Sequence, residues 1–434
     1  MTDADPKLMI YPFVRNAVTK RFSDEAISVR EAAVSLVGLY VVHSPVVAND
    51  FHQAFMVGLQ DSGVSVRKRT IRTLQDILCT HPSYRGRAEA CTAMLALAAD
   101  PKEDDSVRDA IHDLFLRIWL ENGDEKVSQE VTPASSPQEV DERLVSPGSR
   151  VMDVVSVNAT GAMVPVTPTP WPSDSVPPAR EMRSTERRVK KRRLQDRSEV
   201  AAEQMLEVVK AADTGDHLTT LFRDLLSGES DADKGRKTST RRKRRVLDES
   251  HCSMLVGAIF EILLRVEEKR ASSQGATSKD VVAVMRTIGV FSTISPVDVH
   301  RHLDMLLPYL KADNGMSFQQ EAVVVASLCD AVAKIAPVMR KDELDELSTS
   351  PLGDDLVKIT YKFGREALSA AICALCALAF HKESNDHSPF KAKILSLAKT
   401  FYGYLLKHRD EGDFASMKVR SKYSLKILGF FGRG

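Results

Sequence analysis

Asp24–Arg30 reads DEAISVR and Asp61–Arg67 reads DSGVSVR, with Asp, Ser, Val and Arg at identical offsets and the two copies 37 residues apart. A third, weaker copy, DSVRDAIHDLFLRIW from Asp105, places Arg108 a further 41 residues on. Counting from each arginine, the seventh following residue is Val37, Leu74 and Phe115, and the eleventh is Val41, Leu78 and Trp119. These steps are close to whole turns of a 3.6-residue helix, so each copy carries one apolar stripe. Four residues on, Val34 and Ile71 are followed by His112, where the third copy departs. A self-similar unit of about 40 residues is the signature of stacked helix pairs, each of which buries its apolar face only against a neighbour.

The aspartate six residues before the arginine, Asp24 or Asp61, falls where the helices of a pair should turn, and Ser28, Ser65 and Ser106 are expected to cap the helices that follow. This Asp…Val-Arg pattern resembles the HEAT repeat. The resemblance implies that Asp24, Arg30, Asp61, Arg67 and Arg108 form a structural ladder along the stack.

Outward from these repeats the pattern breaks and then resumes. Residues 1–120 read as HEAT repeats. From Glu121 the helical period is lost, and nine prolines arrive between Pro133 and Pro178 among Ser, Thr and Val. So little contiguous apolar surface cannot offset the entropy of ordering, so 121–198 is expected to be a disordered linker. A helical segment is expected at 199–228, a basic linker at 229–246, and HEAT-like helices over 247–434. The fold class is therefore all-α, an α-solenoid of helix pairs, with no convincing strand alternation.

Five segments resemble, in order, the Nipped-B family of cohesin loaders. They are RFSDEAISVREAAVSLVG from Arg21, DSGVSVRKRTIRTLQDIL from Asp61, DTGDHLTTLFRDLLSGE from Asp213, ISPVDVHRHLDMLLPYLKAD from Ile294 and DDLVKITYKFGREALSAAICALCAL from Asp354. The resemblance covers roughly residues 6–120 and 200–430 and omits the proline-rich insertion and both basic runs. It implies a chromatin scaffold that promotes cohesin loading for sister chromatid cohesion, binding double-stranded DNA and cohesin subunits and stimulating the ring's ATPase. Family members are longer, with an amino-terminal segment for a tetratricopeptide-type partner and a hooked carboxyl-terminal solenoid. Neither is recognisable here, and the chain reads as truncated. The alternative is a generic solenoid adaptor that does not bind DNA.

Composition narrows the rest. With 60 Lys+Arg against 59 Asp+Glu, the formal net charge is +1, so any electrostatic role must be local. Two basic runs stand out: Arg187, Arg188, Lys190, Lys191, Arg192 and Arg193, and then Arg241, Arg242, Lys243, Arg244 and Arg245. Such clusters suit import-receptor recognition and place the chain in the nucleus. Within the repeats, VRKRTIR sets Arg67, Lys68, Arg69 and Arg72 over little more than one helical turn, a candidate contact for DNA phosphates.

An enzyme, a cofactor and a metal site are not expected. GESDADKGRKTS has the wrong glycine spacing for a phosphate loop and Arg236 in the lysine's place. Cys373 and Cys376 form CALC without a second pair, His300 and His302 are two apart on a helix and cannot face each other, and His381 and His387 sit in a polar connection. Six scattered cysteines point to a reducing compartment, and neither a leader nor a membrane span is recognisable.

Overall fold

A computed structural model describes residues 9, 11–121, 179–212, 214–227, 249–272, 277–311, 315–382 and 388–411, with backbone alone for 120–121, 179–193, 404–405 and 408–411. The described residues are helical and include no strand. Two compact units are separated by contacts, one of residues 1–122 with 194–434 and one of residues 123–193.

In the larger unit the helices run α1 (Pro12–Arg21), α2 (Ile27–Val41), α3 (Pro45–Asp50), α4 (His52–Leu59), α5 (Val64–Thr80), α6 (Arg87–Ala99) and α7 (Asp105–Leu116), which ends in a π turn over Arg117–Glu121. After α8 (Ala179–Ala211), which crosses from the smaller unit, come α9 (Gly215–Ser227), α10 (Glu249–Ala271) and α11 (Ser278–Ile294). Next are the short α12 (Pro296–His300) and α13 (Leu303–Leu306), then α14 (Phe318–Ile335), α15 (Lys341–Thr349), α16 (Leu352–Lys362), α17 (Arg365–Ala379) and α18 (Pro389–Glu411). The smaller unit's described part is the backbone of α8 from Ala179 to Arg193, so the first basic run is helical, and the helix starts well before the boundary expected at 199. Most of the expected linker, 122–178, and the second basic run, Arg241–Arg245, lie outside the described residues.

The repeat register read from the arginines is the packing register. Val37, Leu74 and Phe115 are fully buried, as are Val34, Ile71 and, one turn further along, Val41, Leu78 and Trp119. Each of these helices therefore turns one stripe inward, and α2 packs on α5 and α5 on α7. The α4–α5 pair is especially close: a Cβ at Gly58 would stand 2.6 Å from Thr70 Oγ1, so this glycine sets the approach of the two helices.

The serines do not cap. Ser28, Ser65 and Ser106 are each the second residue of their helix. Asp104 caps α7, its Oδ1 accepting from Ser106 N–H at 2.9 Å, while before α2 and α5 the aspartates brace the preceding turn, Asp24 Oδ1 accepting from Ala26 N–H at 3.2 Å and Asp61 Oδ1 from Gly63 N–H at 2.7 Å. A carboxylate offers the positive end of the helix a full charge, which a serine hydroxyl lacks.

The stack continues on the far side of the 122–178 segment. Trp119 on the π turn lies 4.5 Å from Phe115 and stacks on Phe222 of α9 at 6.1 Å with an interplanar angle of 8°. Phe222 in turn meets Phe291 of α11 at 5.1 Å. His112, the residue at which the third copy departs from an aliphatic, points the same way, its Nε2 3.8 Å from Asp224 Oδ2 on α9. From there α9 packs on α11, α11 on α14, α14 on α17 and α17 on α18, and one apolar core runs through both parts of the unit.

Trp119 thus joins the repeats before the segment to those after it. Trp119→Ala should lose about 3–5 kcal/mol and split thermal unfolding into two transitions, one for each side of the junction. Calorimetry checks this; a single transition with little loss of stability contradicts it.

Candidate nucleic-acid interface

The sequence offers four neighbouring cations on α5, and the fold divides them between two tasks. Arg67 points into the joint between repeats: Nη1 donates to Asp61 O at 2.5 Å and Nη2 to Glu103 Oε1 at 2.6 Å. Its side chain is 13% exposed and that of Glu103 is 6% exposed, so of the two roles expected of Arg67 it is engaged in the ladder. Lys68, Arg69 and Arg72 face the other way. With Val64 and Ser65 of α5 and Glu31 of α2 they line a groove of about 400 Å³.

Why α5 divides in this manner follows from its period. Val66, Thr70, Ile71, Thr73, Leu74, Ile77 and Leu78 are buried, which leaves Ser65, Lys68, Arg69 and Arg72, spaced by three or four residues, as one outward stripe. Arg72 is exposed and Lys68 and Arg69 are half-buried, and Arg69 Nε is buried with no hydrogen-bond partner. The groove lies at the amino-terminal turn of α5, where the helix dipole adds positive potential.

The repeat joint that positions this stripe is a set of buried ion pairs. Arg30 Nε and Nη2 donate to Asp61 Oδ2 and Oδ1 at 2.6 and 2.8 Å, and Arg30 Nη1 donates to the carbonyls of Asp24 and Glu25 at 2.8 and 3.0 Å. Arg67 repeats the arrangement one unit on, with Glu103 in place of an aspartate. Arg108 Nη2 closes on Glu103 O at 2.6 Å, and its Nη1 lies 3.0 Å from Asp105 Oδ1. Asp24 receives Arg21 Nη1 at 3.0 Å. Burial raises the Asp61 carboxyl, but the bonds from Arg30 and Gly63 N–H outweigh it and hold the group below the ordinary carboxylate range. In return, Asp61 raises the Arg30 guanidinium.

The histidine and cysteine groups are accounted for structurally. His300 Nε2 lies 3.3 Å from Glu343 Oε2, while His302 stacks on Phe260 at 4.4 Å, so the two rings diverge. Cys376 is buried and Cys373 partly so. Burial pushes the Cys91 thiol up to about 12. Among the described residues no three His, Cys, Asp or Glu side chains are grouped to hold a metal ion, and no helix is long and apolar enough to cross a membrane. The side chains of Arg187, Arg188, Lys190, Lys191, Arg192 and Arg193, and all of His387, lie outside the described residues, so no position is given to the proposed import signal.

Comparison with known proteins bears out the resemblance read from the sequence. The family described as HEAT repeat associated with sister chromatid cohesion matches residues 1–37. The mouse and human Nipped-B-like proteins are each 23% identical over 431 residues, 98% of this chain and 12% of their own length. The Drosophila melanogaster Nipped-B protein is 31% identical over 120 residues, 28% of this chain and 6% of its own length. The carboxyl-terminal fragment of the cohesin loader SCC2 of Chaetomium thermophilum has the same fold, with a TM-score of 0.60 at 16% identity, covering 99% of this chain and 25% of that one. The chain spans about a tenth of the length of the Nipped-B-like proteins it matches.

Asp61 carries both a turn bond from Gly63 N–H and an interrepeat ion pair, so Asp61→Ala should cost about 2 kcal/mol or more at neutral pH. Because its folded carboxyl is held below the unfolded value, that stabilisation is complete above about pH 4 and is lost as the pH falls through the folded value. Urea titrations should therefore show the native and variant proteins converging below about pH 4; a constant gap down to pH 2 contradicts the assignment.

Proposed function

We propose that this chain is part of a chromatin scaffold of the cohesin-loading type, acting by shape and charge rather than by catalysis. The observation that carries the reading is similarity to Nipped-B-like proteins along 98% of the chain, joined to a HEAT fold shared with a cohesin loader. On this reading the solenoid binds cohesin subunits and double-stranded DNA, and promotes ATP hydrolysis by the ring without hydrolysing nucleotide itself. The longer relatives' tetratricopeptide-type partner is not assigned to this segment.

The α5 stripe supports the DNA part of this reading. Lys68, Arg69 and Arg72 are three cations on one face, beside a helix amino terminus, with a buried guanidinium nitrogen that has no partner. Phosphates are the natural counterions of such a stripe, and contact through them is independent of base sequence and weakened by salt. Arg187–Arg193 and Arg241–Arg245 would serve as import signals that deliver the chain to the nucleus.

A generic adaptor remains the competing reading, favoured by the exposed Leu36 and Leu39 on α2, which suit a protein partner. Two experiments separate them. The purified chain should retard duplex DNA at low salt and co-purify with cohesin subunits; failure of both overturns the loader reading. Deleting 187–193 and 241–245 together should move a fluorescent fusion from the nucleus to the cytoplasm. Unchanged nuclear signal removes the import assignment.

A further inference from the structure

The groove that holds the cationic stripe also holds a carboxylate. Glu31 of α2 lies across it from Ser65, Lys68, Arg69 and Arg72 of α5, yet stands beyond ion-pair distance of all three cations, since no ion pair joins it to them among the described residues. Its place is fixed by the repeat. Glu31 and Lys68 each follow their ladder arginine by one position, as does Asp109 on α7. One position of the register is thus acidic, basic and acidic in three successive units, and the next turn carries Ser35, Arg72 and Asp113.

A broad duplex-binding surface would keep one sign across neighbouring repeats. At this register position the positive charge falls on α5 alone, between acidic residues on α2 and α7. The groove, about 400 Å³, is roomy enough to admit an anionic group together with its hydration, and Ser65, Lys68, Arg69 and Arg72 supply hydroxyl, ammonium and guanidinium donors to it. The other carboxylate near these cations, Asp104, is already engaged: hydrogen bonds from Ser106 lower its pKa most, with Lys68 and Arg67 adding to the effect. Glu31 has no such engagement and lines the same cavity that an incoming anion would enter.

We propose that the groove between α2 and α5 seats one backbone phosphate of nucleic acid, and that Glu31 opposes that phosphate and keeps the contact weak and readily reversed. This rests on the α5 stripe being a DNA contact. A fixed negative charge several ångströms from the phosphate, in a solvated groove of water-like dielectric, weakens binding by about threefold at low salt, and screening reduces the effect as salt rises.

The test is fluorescence anisotropy of the full chain with a duplex of about 30 base pairs across a salt series of about 50–200 mM. Glu31→Gln should tighten binding about threefold at the lowest salt, with thermal stability unchanged. The triple variant Lys68→Gln, Arg69→Gln, Arg72→Gln should weaken binding and reduce the slope of log K against log salt by about 1, the loss of one phosphate contact. In the triple background, Glu31→Gln should have no effect. If the triple variant weakens binding but Glu31→Gln alone leaves it unchanged, the role given to Glu31 is wrong and the DNA contact stands. If Glu31→Gln still tightens binding in the triple background, the groove is not the phosphate seat. If the triple variant changes neither affinity nor slope, both the seat and the contact at α5 are overturned.

Discussion

The structure depends on a buried guanidinium held between two repeats. Arg30 ties its own turn through the Asp24 and Glu25 carbonyls and reaches the next unit through Asp61. Helix pairs packed only by apolar stripes could slide or rotate against one another, because burial has no direction. A bidentate pair fixes the distance and the angle at once. Buried ion pairs add little net stability when compared with apolar substitutes, so the contribution of this ladder is register more than energy. The register in turn decides which faces of α2 and α5 meet solvent, and thereby places Glu31 opposite Lys68, Arg69 and Arg72.

The ladder also shows how one task can be divided. At the second repeat Asp61 both accepts from Arg30 and braces the turn through Gly63 N–H. At the third, Glu103 accepts Arg67 while Asp104 caps Ser106. This division was not legible in the sequence, because Lys102 stands six residues before Arg108 and the repeat's aspartate has no counterpart there. The adjacent acidic pair Glu103 and Asp104 was the available signal. The serines misled for a related reason: they are conspicuous capping residues, but each helix starts one residue earlier, and the aspartates bond to the N–H groups at its beginning.

Repeats and apolar stripes were legible because both are local, set by 3.6-residue spacing along one helix. The joint across the 122–178 segment was not. Trp119 and Phe222 are stacked partners from opposite sides of it, and nothing in the neighbourhood of either residue names the other. His112 looked like a defect in the third copy, and it lies beside Asp224 on α9. The cationic stripe was half legible: a run of basic residues is visible in one dimension, but only the buried face of α5 tells that Arg67 belongs to the joint and its neighbours to the groove.

The account therefore stands or falls on whether the arginine and the acid of the next repeat act as one unit. A double-variant cycle tests this directly by comparing the thermal midpoints of Arg30→Ala, Asp61→Ala and the protein carrying both. The account predicts that the double variant loses clearly less than the sum of the two single losses, because each substitution removes the shared Arg30–Asp61 bridge. If instead the two losses add, the residues act independently and the ladder does not set the stack.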